Sequence, residues 1–339
     1  MQVFVSNSIE LNGVFQDLAN EFYSSYIQNC EEYILYIPEH LGKGLIKGFN
    51  LGDGIVLMQY DCTFSEDTEI QFIADQIHPL KFKFCEIGSF KHRFEGEEVE
   101  HDIDELIFII IANESKNGHI IKFNAKNRTK INKLEIDRKT FLNSRNCQIS
   151  KIRGRLRTLF QDIDATKKFY FHGNYSLQTY NIFRRIKDFK GTPFLKDLFI
   201  RSQAYLILYV LVREFQKANN SSKQCTVLLK TDVNLINDAS SIINTNLQQP
   251  NTVIELARLV GTNTQKLQYG FKEIYGLTVN QYIKEKRLVE TITLIKNTEF
   301  SISEIADKVG IKSKSYLTKI FKEKYGICPL QYRQNLKEN

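Results

Sequence analysis

At 339 residues the chain exceeds the usual size of one domain, and each part of it is long enough to bury its own core. It has no apolar run able to cross a bilayer, no N-terminal signal and no CxxC pair among six scattered cysteines, which excludes a membrane partner, disulfide framework or zinc ribbon and suits the cytoplasm. The net charge of +7 is uneven: 7 Lys/Arg against 21 Asp/Glu in residues 1–118, 24 against 7 in 119–230, and 15 against 11 in 231–339.

Residues 1–145 read as a β-rich domain. Ile55 to Tyr60, Lys81 to Ile87, Leu106 to Ile111 and Leu134 to Ile136 are strand candidates, divided by turns at Leu51–Gly54 and Lys116–Gly118. A small antiparallel barrel or sandwich is the simplest assembly. Gly42 to Gly48 lacks the Gly-Lys-Ser/Thr ending and following helix of a phosphate loop, so its glycines are assigned to strands and turns. His92, Glu95, Glu97, Glu98, Glu100 and His101 have no metal-binding spacing and are expected on a charged surface loop. No Ser-His-Asp or Cys-His constellation can be assigned, so no catalytic site, metal or cofactor is expected.

Residues 146–224 read as a basic helical connector. Its three helical stretches are Ile152 to Phe160, Tyr175 to Phe189, and Pro193 to about Phe215. Ala204 to Val212 is apolar on every side, so it is buried either within the subunit or against a second copy in a homodimer. The positive field of this segment either attracts phosphates or docks on the acidic N-terminal domain. Residues 217–224 read as a polar linker.

Residues 231–339 say the same thing twice. Val253 to Gly261 is answered by Ile302 to Gly310, and Lys266 to Gly276 by Tyr316 to Gly326. Thr252 with Glu255 and Ser301 with Glu304 predict capping boxes at the start of each first helix. Gly261 and Gly310 then end those helices in the left-handed conformation. Leu267 with Phe271, and Leu317 with Phe321, predict the buried face of each second helix. The opposite face carries Thr264, Gln265, Gln268, Tyr269 and Lys272 in one copy, and Lys314, Ser315, Thr318, Lys319 and Lys322 in the other. Gln suits adenine, Lys suits guanine or phosphate, and Ser or Thr serves either. A helix from Thr278 to about Lys296 would set the spacing of two heads in adjacent major grooves of double-stranded DNA. A solvated helix bundle carries basic faces too, but two copies with matched caps and glycines favour DNA.

This tail resembles the AraC/XylS family of bacterial transcription regulators. The resemblance runs from about Leu235 to Arg333 and rests on Tyr282-Ile283-x-x-x-Arg287-Leu288, Ile305-Ala306-x-x-x-Gly310, Phe321-Lys322, Gly326 and Pro329-x-x-Tyr332-Arg333. In the first copy, Lys266-Leu267-x-x-Gly270-Phe271-Lys272 with Gly276, Val279 and Tyr282 is similar to the pyochelin-receptor-regulator branch. Ile311 stands where the family usually has Phe, and Thr291 where Ala is usual. The resemblance implies an α+β protein with a cupin-like N-terminal domain that senses a small-molecule effector or dimerises. It also implies a tail that binds promoter DNA near RNA polymerase and usually activates. The alternative, from another class, is an interaction protein that binds a regulator or the polymerase without reading DNA.

Overall fold

The computed structural model describes residues 1–114, 116–143, 151, 153–220 and 230–337. Ile152 and the second half of the expected linker, 221–224, lie outside the described residues, whereas its first half, 217–220, is helical. The chain divides into two compact units, Met1–Cys225 and Thr226–Asn339.

The first unit is built from two sheets. One runs in the order β1 (Gln2–Ser6), β6 (Thr68–Phe72), β11 (His119–Phe123), β8 (Ser89–Phe94) and β9 (His101–Asp104). The other runs β13 (Phe169–Tyr175), β10 (Ile107–Ala112), β7 (Leu80–Ile87), β12 (Thr129–Ile136), β5 (Ile55–Phe64), β4 (Gly42–Asn50), β3 (Glu32–Tyr36) and β2 (Tyr26–Asn29). Pairing is antiparallel except between β1 and β6. Of the two expected assemblies the structure is the sandwich, with Tyr60, Phe64, Ile70, Phe72, Ile109 and Phe123 in a core between the sheets.

Strands β7, β10 and β12 are buried on both faces, because helices cover the outside of the larger sheet. Their runs of bulky residues without a solvent face are the sequence mark of that double cover. Helix α1 (Leu11–Glu21) was not anticipated; it seats Phe15 and Leu18 on the core. Gly48 lets it approach, since a Cβ there would lie 2.6 Å from the Phe15 ring. The Gly42–Gly48 segment is strand, as its missing phosphate-loop features indicated.

The middle segment is not purely helical. After α2 (Arg138–Asn143) at the end of the preceding part, helices α3 (Gly154–Gln161), α4 (Leu177–Asp188) and α5 (Pro193–Asn220) are interrupted by β13, which extends the larger sheet beside β10. The sequence Phe169 to Tyr175 is aromatic and alternates weakly, so edge pairing rather than periodicity decides its conformation. Phe183 on α4 stacks on Phe84 at 5.7 Å between ring centroids. Nor is α5 buried on every face. Ala204, Ile207, Leu208 and Leu211 pack inwards, whereas Tyr209 is 58% exposed. Among the described residues, Lys196 pairs with Glu32 at 2.6 Å and Lys168 with Glu97, and Arg201 donates to the Leu51 carbonyl. Arg153, Arg184, Arg185 and Lys190 point to solvent.

The acidic-histidine patch is also not a simple surface loop. His92 is fully buried on the inner face of β8. Glu95 accepts the Gly118 backbone N–H, and Glu100 pairs with Lys91 at 2.9 Å. Alternation along a strand, which a cluster of charges obscures in the sequence, turns His92 inwards.

The second unit is helical: α6 (Lys230–Thr245), α7 (Val253–Leu259), α8 (Thr264–Tyr275), α9 (Val279–Asn297), α10 (Ile302–Lys308), α11 (Lys314–Tyr325) and α12 (Pro329–Lys337). The boxes at Thr252/Glu255 and Ser301/Glu304 are both complete. Gly261 and Gly310 have φ of 75° and 76°. Thr291 is tolerated in the interior because its hydroxyl donates to the Arg287 carbonyl at 2.7 Å.

Candidate nucleic-acid interface

Each helix-turn-helix is held from beneath. In the first, Leu256 and Ala257 on α7 meet Leu267 and Phe271 on α8, all buried. In the second, Ile305 and Ala306 on α10 meet Leu317 and Phe321 on α11. The alanines lack bulk where the two helices come together. Asn263 and Ser313 cap the second helices through the backbone N–H groups of Lys266 and Tyr316. Helix α9 has its own box at Thr278/Gln281 and runs unbroken from the first pair towards the second. Each head is therefore a rigid wedge, with its second helix supported along one side.

The expected contact residues lie mostly on the free side of those helices. Thr264, Gln265 and Lys272 are exposed on α8, and Lys314, Ser315, Lys319 and Lys322 are exposed on α11. Tyr269 and Thr318 are half-buried. Offsetting the first set by fifty residues lands on the second set at every position. The two faces are geometrically equivalent and chemically different: Gln and Tyr in one, Lys and Ser in the other.

Gln268 departs from this pattern. It is half-buried, and its carboxamide oxygen accepts the backbone N–H of Val279 at 3.1 Å. Val279 opens α9, so that donor has no partner within its own helix. The equivalent residue in the second copy is Pro329, which opens α12 and has no N–H to satisfy. Thr318 therefore has no capping duty. A bidentate grip on adenine uses both ends of a carboxamide, and the oxygen of Gln268 is already directed at the backbone.

Some signals were missed in the sequence. Tyr316 is 51% exposed in the first turn of α11, beside Lys314 and Ser315, and exposed Lys312 precedes it. An exposed ring among cations at a helix start was the available clue. Lys266, at the position equivalent to Tyr316, is instead committed to Asp232 at 2.6 Å. Gly270 permits the crossing of α6, because a Cβ there would overlap Ile236. The second copy carries Ile320 at that place.

Residues 256–335 match a family described as a helix-turn-helix domain, HTH_18. The chain is 30% identical to the probable transcription factor PqrA of Proteus vulgaris over 104 residues, which are 30% of this chain and 85% of that protein. It is 24% identical over 180 residues to the Msm operon regulatory protein of Streptococcus mutans serotype c, covering 51% of this chain and 61% of the relative. The chain thus spans about three fifths of that relative's length. Among solved structures, a transcriptional regulator of Chromobacterium violaceum with an AraC-type DNA-binding domain is 25% identical, covering 30% of this chain and 90% of that one with a TM-score of 0.29. With the paired heads, their matched caps and the Pro329-x-x-Tyr332-Arg333 ending in place, the chain belongs to the AraC/XylS family of transcription regulators.

Proposed function

We propose that this protein is a sequence-specific DNA-binding regulator, an activator that sets its two heads in successive major grooves of promoter DNA, roughly 34 Å apart. The observation that carries this reading is the equivalence of the exposed faces of α8 and α11. Gln265, Lys314 and Lys319 are the base readers, helped by Thr264, Ser315 and Thr318, with Tyr269 and Gln268 at the inner edge. Lys272 and Lys322 hold phosphate, which positions the heads without carrying sequence information. Residues 1–145 form the regulatory part that takes a small-molecule effector, 146–224 join it to the tail, and 231–339 read DNA and work beside RNA polymerase. A second copy pairs through the exposed side of α5, where Leu195, Leu198, Tyr205 and Tyr209 recur at spacings of three, seven and four residues.

The test is selection of genomic fragments by the purified full-length protein at moderate salt, beside a Gln265→Ala/Lys319→Ala variant. Enrichment of a few sites that disappears in the variant is the expected result. Equal enrichment by both proteins refutes the residue assignment. Failure to retain any fragment refutes DNA reading and leaves the interaction protein as the better account.

A further inference from the structure

Alternation along β7 and β12 places Lys81, Lys83, Lys133 and Glu135 inside the sandwich of the first unit. Register puts Lys83 directly opposite Lys133, and Lys81 opposite Glu135. Like charges facing each other across a ladder repel, and here they do so away from water. Two of the three lysines share one carboxylate: Glu135 lies 3.1 Å from Lys133 and 3.7 Å from Lys81. Lys83 is wholly buried, and its Nζ has no hydrogen-bond partner.

Three imidazoles join this cluster. His119 stacks on Phe72 at 4.9 Å, and the Lys133 ammonium lies 4.5 Å from the centre of the same ring. His92 and His78 stand 5.9 and 6.0 Å from His119 between ring centroids. Both ring nitrogens of His92 and of His119, and Nε2 of His78, are buried without partners. Each neutral imidazole keeps one N–H and Lys83 adds more donors; buried donors are nearly always satisfied, so these orphans call for a ligand rich in acceptors. Three neighbouring lysines disfavour a cation. Among the described residues no group of His, Cys, Asp or Glu has metal-holding geometry.

His78 and Glu135 also line a cleft of about 910 Å³ with Arg138 and Lys116, so the edge of the cluster borders a cleft. That volume suits a small metabolite.

We propose that the sandwich interior is an oxyanion receptor, in which Lys83 and Lys133 with His92 and His119 hold the carboxylate or phosphate of a small effector entering past His78. This rests on the reading of the first unit as the regulatory part. Burial, reinforced by Lys133 and Lys81, depresses Lys83 well below the usual lysine range. Burial likewise holds His92 and His119 well below theirs, with Lys83 adding to it, and brings His78 to about 3. Burial opposes charge on Lys133, but Glu135 and Tyr60 outweigh it and keep that lysine protonated. An arriving oxyanion supplies the missing negative charge, and Lys83 takes a proton from solvent as it binds.

The experiment is calorimetric titration of the full-length protein with sodium phosphate, sodium acetate and sodium citrate, each against sodium chloride at equal ionic strength. It is run in two buffers of different ionisation enthalpy. Phosphate distinguishes a phosphorylated effector from the carboxylate class, and citrate from acetate distinguishes a polyvalent one. Saturable binding of one oxyanion per chain with proton uptake is expected. Lys83→Met should weaken it on the order of tenfold or more, while its melting temperature without ligand stays level or rises. Absence of saturable binding by all three anions overturns the proposal. Undiminished binding by Lys83→Met does so too, as does a large loss of stability in that variant, which would make Lys83 a structural support. Binding that is lost in Lys83→Met, but that leaves retention of DNA unchanged, supports the receptor and refutes its regulatory role.

Discussion

The inequality of Gln268 and Thr318 gives a test in which fold and DNA binding separate. Gln268→Ala removes the acceptor from the Val279 N–H, and Val279 is fully buried. An unsatisfied buried donor costs about 1–3 kcal/mol. The lower end applies, since Gln268 is only half-buried and water can reach part of the gap. Alanine also returns a few tenths of a kcal/mol in helix propensity. The net loss is about 1 kcal/mol, or a fall of roughly 4 °C in the melting temperature of a unit this size. Thr318→Ala faces Pro329, which has no N–H, so it loses no cap and gains up to about 0.7 kcal/mol of propensity. Its melting temperature should stay level or rise. The assay is thermal unfolding of the full-length variants followed by far-ultraviolet circular dichroism, with affinity for a selected DNA fragment measured in parallel. Both variants should bind DNA more weakly, but only Gln268→Ala should melt early. Equal melting of the two variants would refute the capping argument.

Gly270→Ala places a methyl against Ile236, whose Cγ1 would be 2.7 Å away. Overpacking costs about 1–3 kcal/mol, offset by about 1 kcal/mol from helix propensity. Adding Ile236→Val should recover part of the loss, and chemical denaturation of the three variants measures it. Lys322→Ala should weaken every DNA sequence alike and reduce the salt slope of binding by about 0.9, whereas Lys319→Ala should cost about 1–3 kcal/mol and relax one base position. Titration of both over a salt series distinguishes them, and a sequence-independent loss from both would refute the role of Lys319. The Glu255 and Glu304 carboxyls are held below the usual value by the backbone N–H and hydroxyl groups of Thr252 and Ser301. A depressed carboxyl stabilises the folded state above its unfolded value near 4.5 and loses that contribution as pH falls through the folded value. Helix stability should therefore decline below about pH 4.5, less so in a Glu255→Gln/Glu304→Gln protein followed at 222 nm.

Much of the second unit was legible in the chain because its determinants are local. A capping box spans four residues, a helix face repeats every three or four, and a left-handed glycine marks its own helix end. Thr252, Ser301, Gly261 and Gly310 each act within one turn of where they stand, and the repeat let each copy check the other. Gln268 escaped this logic, since its partner, Val279, lies on the next helix. Gly270 escaped it too, because Ile236, for which it makes room, stands 34 residues away in sequence.

The first unit shows the opposite balance. Its strongest strands could be found from their apolar runs, but α1, β13 and the sheet order depend on contacts between distant segments. Nothing local distinguishes Lys83 from a surface lysine on an alternating strand, or His92 from its acidic neighbours. Which face of β7 turns inwards, and which residue of β12 stands opposite, is decided by register across the sheet. By itself the sequence determined the two heads and their caps. Only the tertiary structure decided that β7, β8, β11 and β12 bring lysines and imidazoles together out of water, because burial and pairing are properties of the assembled sandwich and not of any one strand.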